Sequence, residues 1–188
     1  MAKPDAHTQG VRPVRRLVTG TDANGRSVFL SDGVTPHVMT LHGIDNFGVT
    51  DLWKTRSTPA DLKIAEDTVT LPIELAPPER GTVLRVVEFA PDADWMGTVD
   101  PGAAFASMGE SGSAALDQTG PAPAHPMMHA TRSIDYAIVL SGEIWAVMDD
   151  DERKMEAGDI LIQRGTNHAW SNRTRQSCQV AFVLIDGA

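Results

Sequence analysis

The sequence predicts an all-β chain folded as an antiparallel sandwich or barrel. Three observations carry this. Short apolar runs recur at close, even spacing with turn residues between them. β-branched residues crowd these runs, as in Thr82-Val83-Leu84-Arg85-Val86-Val87-Glu88-Phe89. No segment of helical period is long enough for an α/β arrangement, and no internal repeat is present.

Taken in order, residues 1–12 are polar without periodicity and read as a flexible tail. Residues 13–100 read as an N-terminal β extension with the first barrel strands. Runs at 27–30, 38–41 and 49–53 follow the turn signals Asn24-Gly25, Thr35-Pro36 and Phe47-Gly48. Residues 55–80, proline-rich and polar, read as extended loop, and 82–89 as a strand. Residues 101–126 form an insert rich in Ala, Gly, Ser and Met. Asp100-Pro101 caps and starts a short helix over 101–109, another turn covers 113–117, and 120–124 is a linker. No chemistry is assigned to this insert. Residues 127–188 read as the barrel core, with strands at 136–140, 144–148, 160–162, 168–170 and 179–185. The turns between them include Ser141-Gly142-Glu143 and Ala157-Gly158-Asp159.

The chain has 188 residues, which suits one domain, and a net charge of −9. With Arg12, Arg15 and Arg16 as its one basic knot, it lacks the concentrated basic face that nucleic acid or an anionic membrane needs. The longest clean apolar run, 136–140, is too short to cross a bilayer. No apolar leader follows Met1, which favours the cytoplasm. The single cysteine, Cys178, excludes an internal disulfide and a Cys-rich zinc site, and reads as a buried structural thiol. The signature patterns of common hydrolases, kinases and dehydrogenases are absent.

Chemistry is concentrated in the last third. If the chain is extended after His129, then His129, Thr131, Ser133 and Asp135 share one strand face, and Tyr136, Ile138 and Leu140 take the other, where core packing is expected. Polar side chains on one face of an apolar sheet call for a wet cavity or a metal site. Two imidazoles, His129 and His168, with the carboxylate of Asp135 form a ligand set that suits Fe(II) with open positions and tolerates Mn, Zn, Co or Ni. Trp145 and Trp170 read as core or pocket-wall residues, and His125, in a proline-rich linker, as exposed.

Residues 129–172 resemble the two motifs of the cupin superfamily. The first motif, G-x5-H-x-H-x3,4-E-x6-G, appears as His129-x-Thr131-x3-Asp135-x6-Gly142. The second, G-x5-P-x-G-x2-H-x3-N, appears as Gly158-x4-Gln163-Arg164-Gly165-x2-His168-x3-Asn172. The tail Phe182-Val183-Leu184-Ile185-Asp186 is similar to single-domain bacterial cupins of the conserved-barrel type. The resemblance implies an antiparallel double-stranded β-helix, the jelly-roll barrel, with a divalent transition metal held by His129, Asp135 and His168. Thr131 stands where cupins carry another histidine. Thr131, Ser133, Gln163, Trp170 and Trp145 are then substrate or supporting contacts.

The expected function is a metal-dependent cupin enzyme acting on a small organic molecule, aromatic or bearing a carbonyl or carboxylate. Dioxygenation is placed ahead of decarboxylation and isomerisation or dehydration. Two alternatives stand beside it: a metal-free small-molecule-binding module serving as sensor or carrier, and a metal-free acid/base enzyme using His129 oriented by Asp135. The apolar strands from 27 to 53 would leave exposed edges, so a homodimer is expected in which they pair across subunits or cover the barrel.

Overall fold

The computed structural model describes residues 10–41, 44–64, 66–69, 71–116 and 123–188. Most of the expected tail, residues 120–122 of the expected linker, residue 117 and His42 lie outside the described residues. The elements are β1 (Arg15–Thr21), β2 (Ser27–Val34), β3 (Val38–Thr40), β4 (Gly48–Thr55), β5 (Thr82–Phe89), α1 (Pro101–Ala106), α2 (Gly109–Ala115), β6 (Ser133–Ser141), β7 (Glu143–Val147), β8 (Glu152–Glu156), β9 (Ile160–Arg164), β10 (Ala169–Ser171) and β11 (Cys178–Asp186).

Pairing is antiparallel throughout the described strands. A six-stranded sheet in the order β3-β4-β5-β11-β6-β9 packs on a three-stranded sheet, β10-β7-β8. Val83, Val139 and Val180 of the first sheet share one core with Ile144, Met155 and Trp170 of the second. This is the all-β jelly-roll barrel that the sequence predicts. β3, β4 and β5 belong to the same sheet as β6, β9 and β11, so the N-terminal strands complete the barrel.

Period-two alternation sets which residues face inward. On β6, Ser133, Asp135, Ala137 and Val139 are buried, and on β11 Cys178, Val180, Phe182 and Leu184 are. The register places Leu184 beside Asp135 and Phe182 beside Ala137. Tyr136 departs from expectation. It points away from the barrel with Ile134 and Leu140 and is 40% exposed, because no layer of the described residues covers that part of the outer face of the six-stranded sheet.

The β6–β7 turn needs its glycine. Gly142 has φ +82°, and a Cβ there would come within 3.1 Å of the Cys178 Cα. The helical insert forms as two short helices. Asp100 accepts a hydrogen bond from the Gly102 N–H at 3.0 Å, the expected cap. α1 stops at Ala106, before the expected end near 109, and Gly109 with φ +78° opens α2.

Two anchors were not anticipated. Val11 is buried, and Arg12 donates to both carboxylate oxygens of Glu88 at 2.8 Å, so chain inside the expected tail is tied to the barrel. The 55–80 segment holds no regular element among its described residues beyond the end of β4, yet it is pinned. Arg85 reaches from β5 to the carbonyls of Leu75 and Glu74, and Ile73 is fully buried. Arg85 is held in turn by Asp51, which also pairs with Lys54. Both contacts are 3.0 Å, and all three residues are at most 5% exposed.

Candidate functional site

The barrel holds a partly open cavity of about 100 Å³. Its polar lining is Arg85, His129, Thr131, Asp135 and His168; the rest of the wall is apolar. β5 contributes Arg85, Val87 and Phe89 from inward positions, and β11 contributes Phe182 and Leu184. The helical insert, expected to carry no chemistry, supplies Phe105 and Met108 to the wall.

His129 and His168 meet across an isolated antiparallel bridge outside the named strands. Their backbones exchange both hydrogen bonds, His129 N–H to His168 O at 2.8 Å and His168 N–H to His129 O at 2.9 Å. This brings the ring centroids to 4.3 Å with the planes tilted 44°. Phe105 packs on the His129 ring at 4.9 Å and Trp170 stands edge-on to His168 at 6.0 Å.

Each ring is oriented from behind. The Nδ1 of His129 lies 3.0 Å from the Met127 carbonyl, and that of His168 lies 2.9 Å from the Thr166 carbonyl. A carbonyl can only accept, so both Nδ1 atoms carry the proton and both Nε2 atoms keep a lone pair. Burial lowers the His129 pKa. Burial, and then the neighbouring His129, lower that of His168 to about 3. Both rings are therefore uncharged at neutral pH, the form that serves as a base or a ligand.

Asp135 lines the same cavity from β6. It is 5% exposed and its Oδ1 has no hydrogen-bond partner. Burial raises its pKa, against opposing pulls from Ser133 and from the Arg85 charge. Among the described residues, no group of three or more His, Cys, Asp or Glu side chains is placed to hold a metal ion. The expected set of His129, Asp135 and His168 lines one cavity, and within it the two imidazoles stand in ring contact. The strand starts only at Ser133, so the chain between His129 and Asp135 is not one continuous strand. What these residues would offer a metal is two nitrogens aimed by backbone carbonyls and, on the same cavity wall, a carboxylate with one unpartnered oxygen.

The other expected site residues divide. Thr131 lines the cavity and its Oγ1 shares a 2.8 Å hydrogen bond with the Ser133 Oγ. Trp170 lines the cavity too. Ser133 is buried behind Thr131 and is not a lining residue. Gln163 turns its amide onto the Thr166 carbonyl at 2.9 Å, which fixes the turn that carries His168. Trp145 lies outside the cavity under the Arg173 guanidinium at 4.5 Å. His125 is 3% exposed, with Nδ1 accepting from the Met127 N–H at 3.2 Å and Nε2 3.7 Å from Asp92, so it is a buried residue and not an exposed one. Arg85 was missed, although its inward parity with Val83 and Val87 is visible in the sequence.

Comparison with known proteins decides the family. The chain is 34% identical over 186 residues to phomopsin biosynthesis cluster protein C' of Diaporthe leptostromiformis, covering 94% of this chain and 80% of that one. It is 31% identical over 191 residues to the cupin-domain-containing oxidoreductase fogC of Aspergillus ruber, covering 94% of this chain and 74% of the relative. The chain belongs to the cupin-domain proteins. These relatives of the cupin are fungal, which corrects the expected bacterial branch. No protein-family model matches the chain. Among solved structures, a cupin 2 conserved barrel domain protein from Salinispora arenicola CNS-205 is similar at TM-score 0.40 and 17% identity, covering 78% of this cupin and 82% of that chain. No helix among the described residues is long and apolar enough to cross a membrane.

Proposed function

We propose that this cupin is an oxidoreductase acting on a small, largely apolar organic molecule whose oxygen-bearing edge meets the His129–His168 pair. One observation carries the reading: two uncharged imidazoles keep their Nε2 lone pairs beside a cavity whose wall, apart from Arg85, Thr131 and Asp135, is apolar. The name of the fogC relative supports the reaction class. The cavity is smaller than one of about 150 Å³ that takes benzene. It receives the reacting end of a substrate, with Met108 and Met127 as the adaptable part of its wall.

The chain's own residues supply three things. The aromatic wall excludes water and holds the apolar body. An imidazole Nε2 takes the proton from a substrate hydroxyl or activated C–H, and the Nδ1 hydrogen bond to a carbonyl steadies the cation that forms. Asp135, with one oxygen unpartnered, accepts a hydrogen bond from a second polar group of the substrate or, when protonated, donates one. The test is a panel of small aromatic alcohols, phenols and aldehydes incubated in air with the protein, dioxygen being the oxidant that takes the two electrons, and read by mass spectrometry. Loss of two hydrogens or gain of oxygen, abolished by His168→Ala, is the expected result. Binding without turnover across the panel, with and without added metals, would identify a carrier or sensor instead.

A second reading, the metal-dependent dioxygenase, is favoured by the same free Nε2 pair, which is how histidines meet a metal. Metal analysis tests it. Stoichiometric uptake of Fe, Mn, Zn, Co or Ni that is lost in His129→Ala supports it, and no uptake removes it.

A further inference from the structure

The chain that enters the site, from residue 123 to the start of β6 at Ser133, holds no named strand, yet it carries both Met127 and His129. Backbone outside a ladder has to be tied by other means. His125 supplies two of the ties. Its carbonyl accepts the Met128 N–H at 3.2 Å, and its Nδ1 accepts the Met127 N–H at 3.2 Å. A backbone N–H can only donate, so Nδ1 keeps its lone pair and the proton of the neutral ring sits on Nε2. That edge faces Asp92, with Nε2 3.7 Å from Oδ2. The separation exceeds a hydrogen bond, but a negative charge this near, away from water, favours the tautomer with its proton on that side. Trp95 stands edge-on to the His125 ring at 5.9 Å, and both side chains are buried.

Asp92 is fixed in turn on the strand that leaves His168. Its Oδ2 accepts from the Ser171 hydroxyl at 2.6 Å and its Oδ1 from the Asn172 N–H at 3.1 Å. Burial would raise its pKa, but His125, Ser171 and Asn172 outweigh that and hold it below the ordinary value, so it is ionised at neutral pH. The Asp92–His125 pair thus joins the chain leaving one candidate imidazole to the chain entering the other.

We propose that His125 is a positioning residue for His129. Braced against Asp92, it fixes Met127, whose carbonyl accepts the His129 Nδ1–H at 3.0 Å and so keeps the lone pair on Nε2. The inference rests on the reading that His129 serves the reaction in the cavity. His168 is oriented by the Thr166 carbonyl instead, so it lies outside this chain of contacts and acts as an internal control.

Long-range proton–nitrogen NMR of the nitrogen-labelled full chain tests it, because the method reads the tautomer of each imidazole. EDTA is present so that no metal fixes the rings. His125→Phe keeps a ring and removes the acceptor; His129 should then divide between both tautomers while His168 stays protonated on Nδ1. His125→Asn, whose Oδ1 can stand where Nδ1 stood, should restore the native pattern. His125→Gln, which reaches toward Asp92 but offers no acceptor at that place, should not. The Asn and Gln variants decide the matter even if His125→Phe does not fold. On a substrate that is turned over, kcat should fall on the order of 10-fold in His125→Gln with KM unchanged, and recover in His125→Asn. His129 remaining wholly Nδ1-protonated in His125→Gln, His125→Asn failing to restore it, or His129 and His168 loosening together each overturns the proposal. If no substrate is turned over, the functional reading falls, and the tautomers still decide this inference.

Discussion

His129 and His168 are held together by their own backbones, each donating its N–H to the other's carbonyl, and their rings lie 4.3 Å apart. The pairing belongs to the main chain, so the side chains can be changed without unzipping it. In the proposed reaction His129→Ala and His168→Ala each cost on the order of 100-fold in turnover, and the double variant costs little more than either alone, because the rings act as a unit. Single-turnover kinetics on any substrate found in the panel measures this; additive losses would mean that the rings work separately.

The acid limb of stability follows from His168. Its pKa falls to about 3 on folding, so between its ordinary value near 6.5 and about 3 the unfolded chain binds more protons than the folded one. Stability is therefore complete above about pH 6.5 and declines as pH falls through that window, by ~2–4 kcal/mol in total. Asp135 acts in the opposite sense. Its raised pKa makes the folded state the better proton binder just above pH 3.8, so that contribution is lost as pH rises. Urea titrations from pH 7 to pH 4 should show the decline, and His168→Gln should flatten it.

Two of the buried aspartates, Asp135 and Asp51, should respond in opposite ways to loss of charge. Asp135→Asn removes a carboxylate that folding disfavours and should leave stability unchanged or raise it by about 1 kcal/mol at pH 7. Asp51→Asn strands Arg85 and Lys54 in the interior and should cost about 3–5 kcal/mol. Chemical denaturation of both variants checks the contrast; a large loss for Asp135→Asn would reveal a partner for its carboxylate.

Cys178 should be inert in the folded protein. It is fully buried, and burial pushes its thiol up to about 12. Thiol-reactive reagent at pH 8 should label it no faster than the protein unfolds. Gly142→Ala, which presses a methyl group onto the Cys178 backbone at a positive φ, should cost about 1–3 kcal/mol and speed that labelling.

Much of the fold was legible along the chain. The alternation on β6 and β11, the Asp100 cap and the glycine turn at Gly142 are local properties, and local physics settles them. The candidate site was legible in part. His129 and His168 were singled out, and Thr131 and Trp170 reach the cavity as expected. Asp135 faces inward from its strand, as its parity predicts, and lines the cavity with them. Arg85, Phe105 and Met108 were missed because each comes from an element with no visible tie to the histidines.

By itself the sequence determined the class of the molecule: alternating short strands, punctuated by glycine and aspartate, can bury one face each only as an antiparallel barrel. The tertiary structure alone decided which inward groups share a point in space. Alternation sets the side a residue faces and says nothing of its depth along the barrel or of what another strand brings opposite. The non-strand stretch before Ser133 lets His129 pair with His168 while Asp135 stays within the sheet. Among the described residues the outer face of that sheet stayed bare there for the same reason: parity turns Tyr136, Ile160 and Ile162 outward, and no described segment returns to cover them.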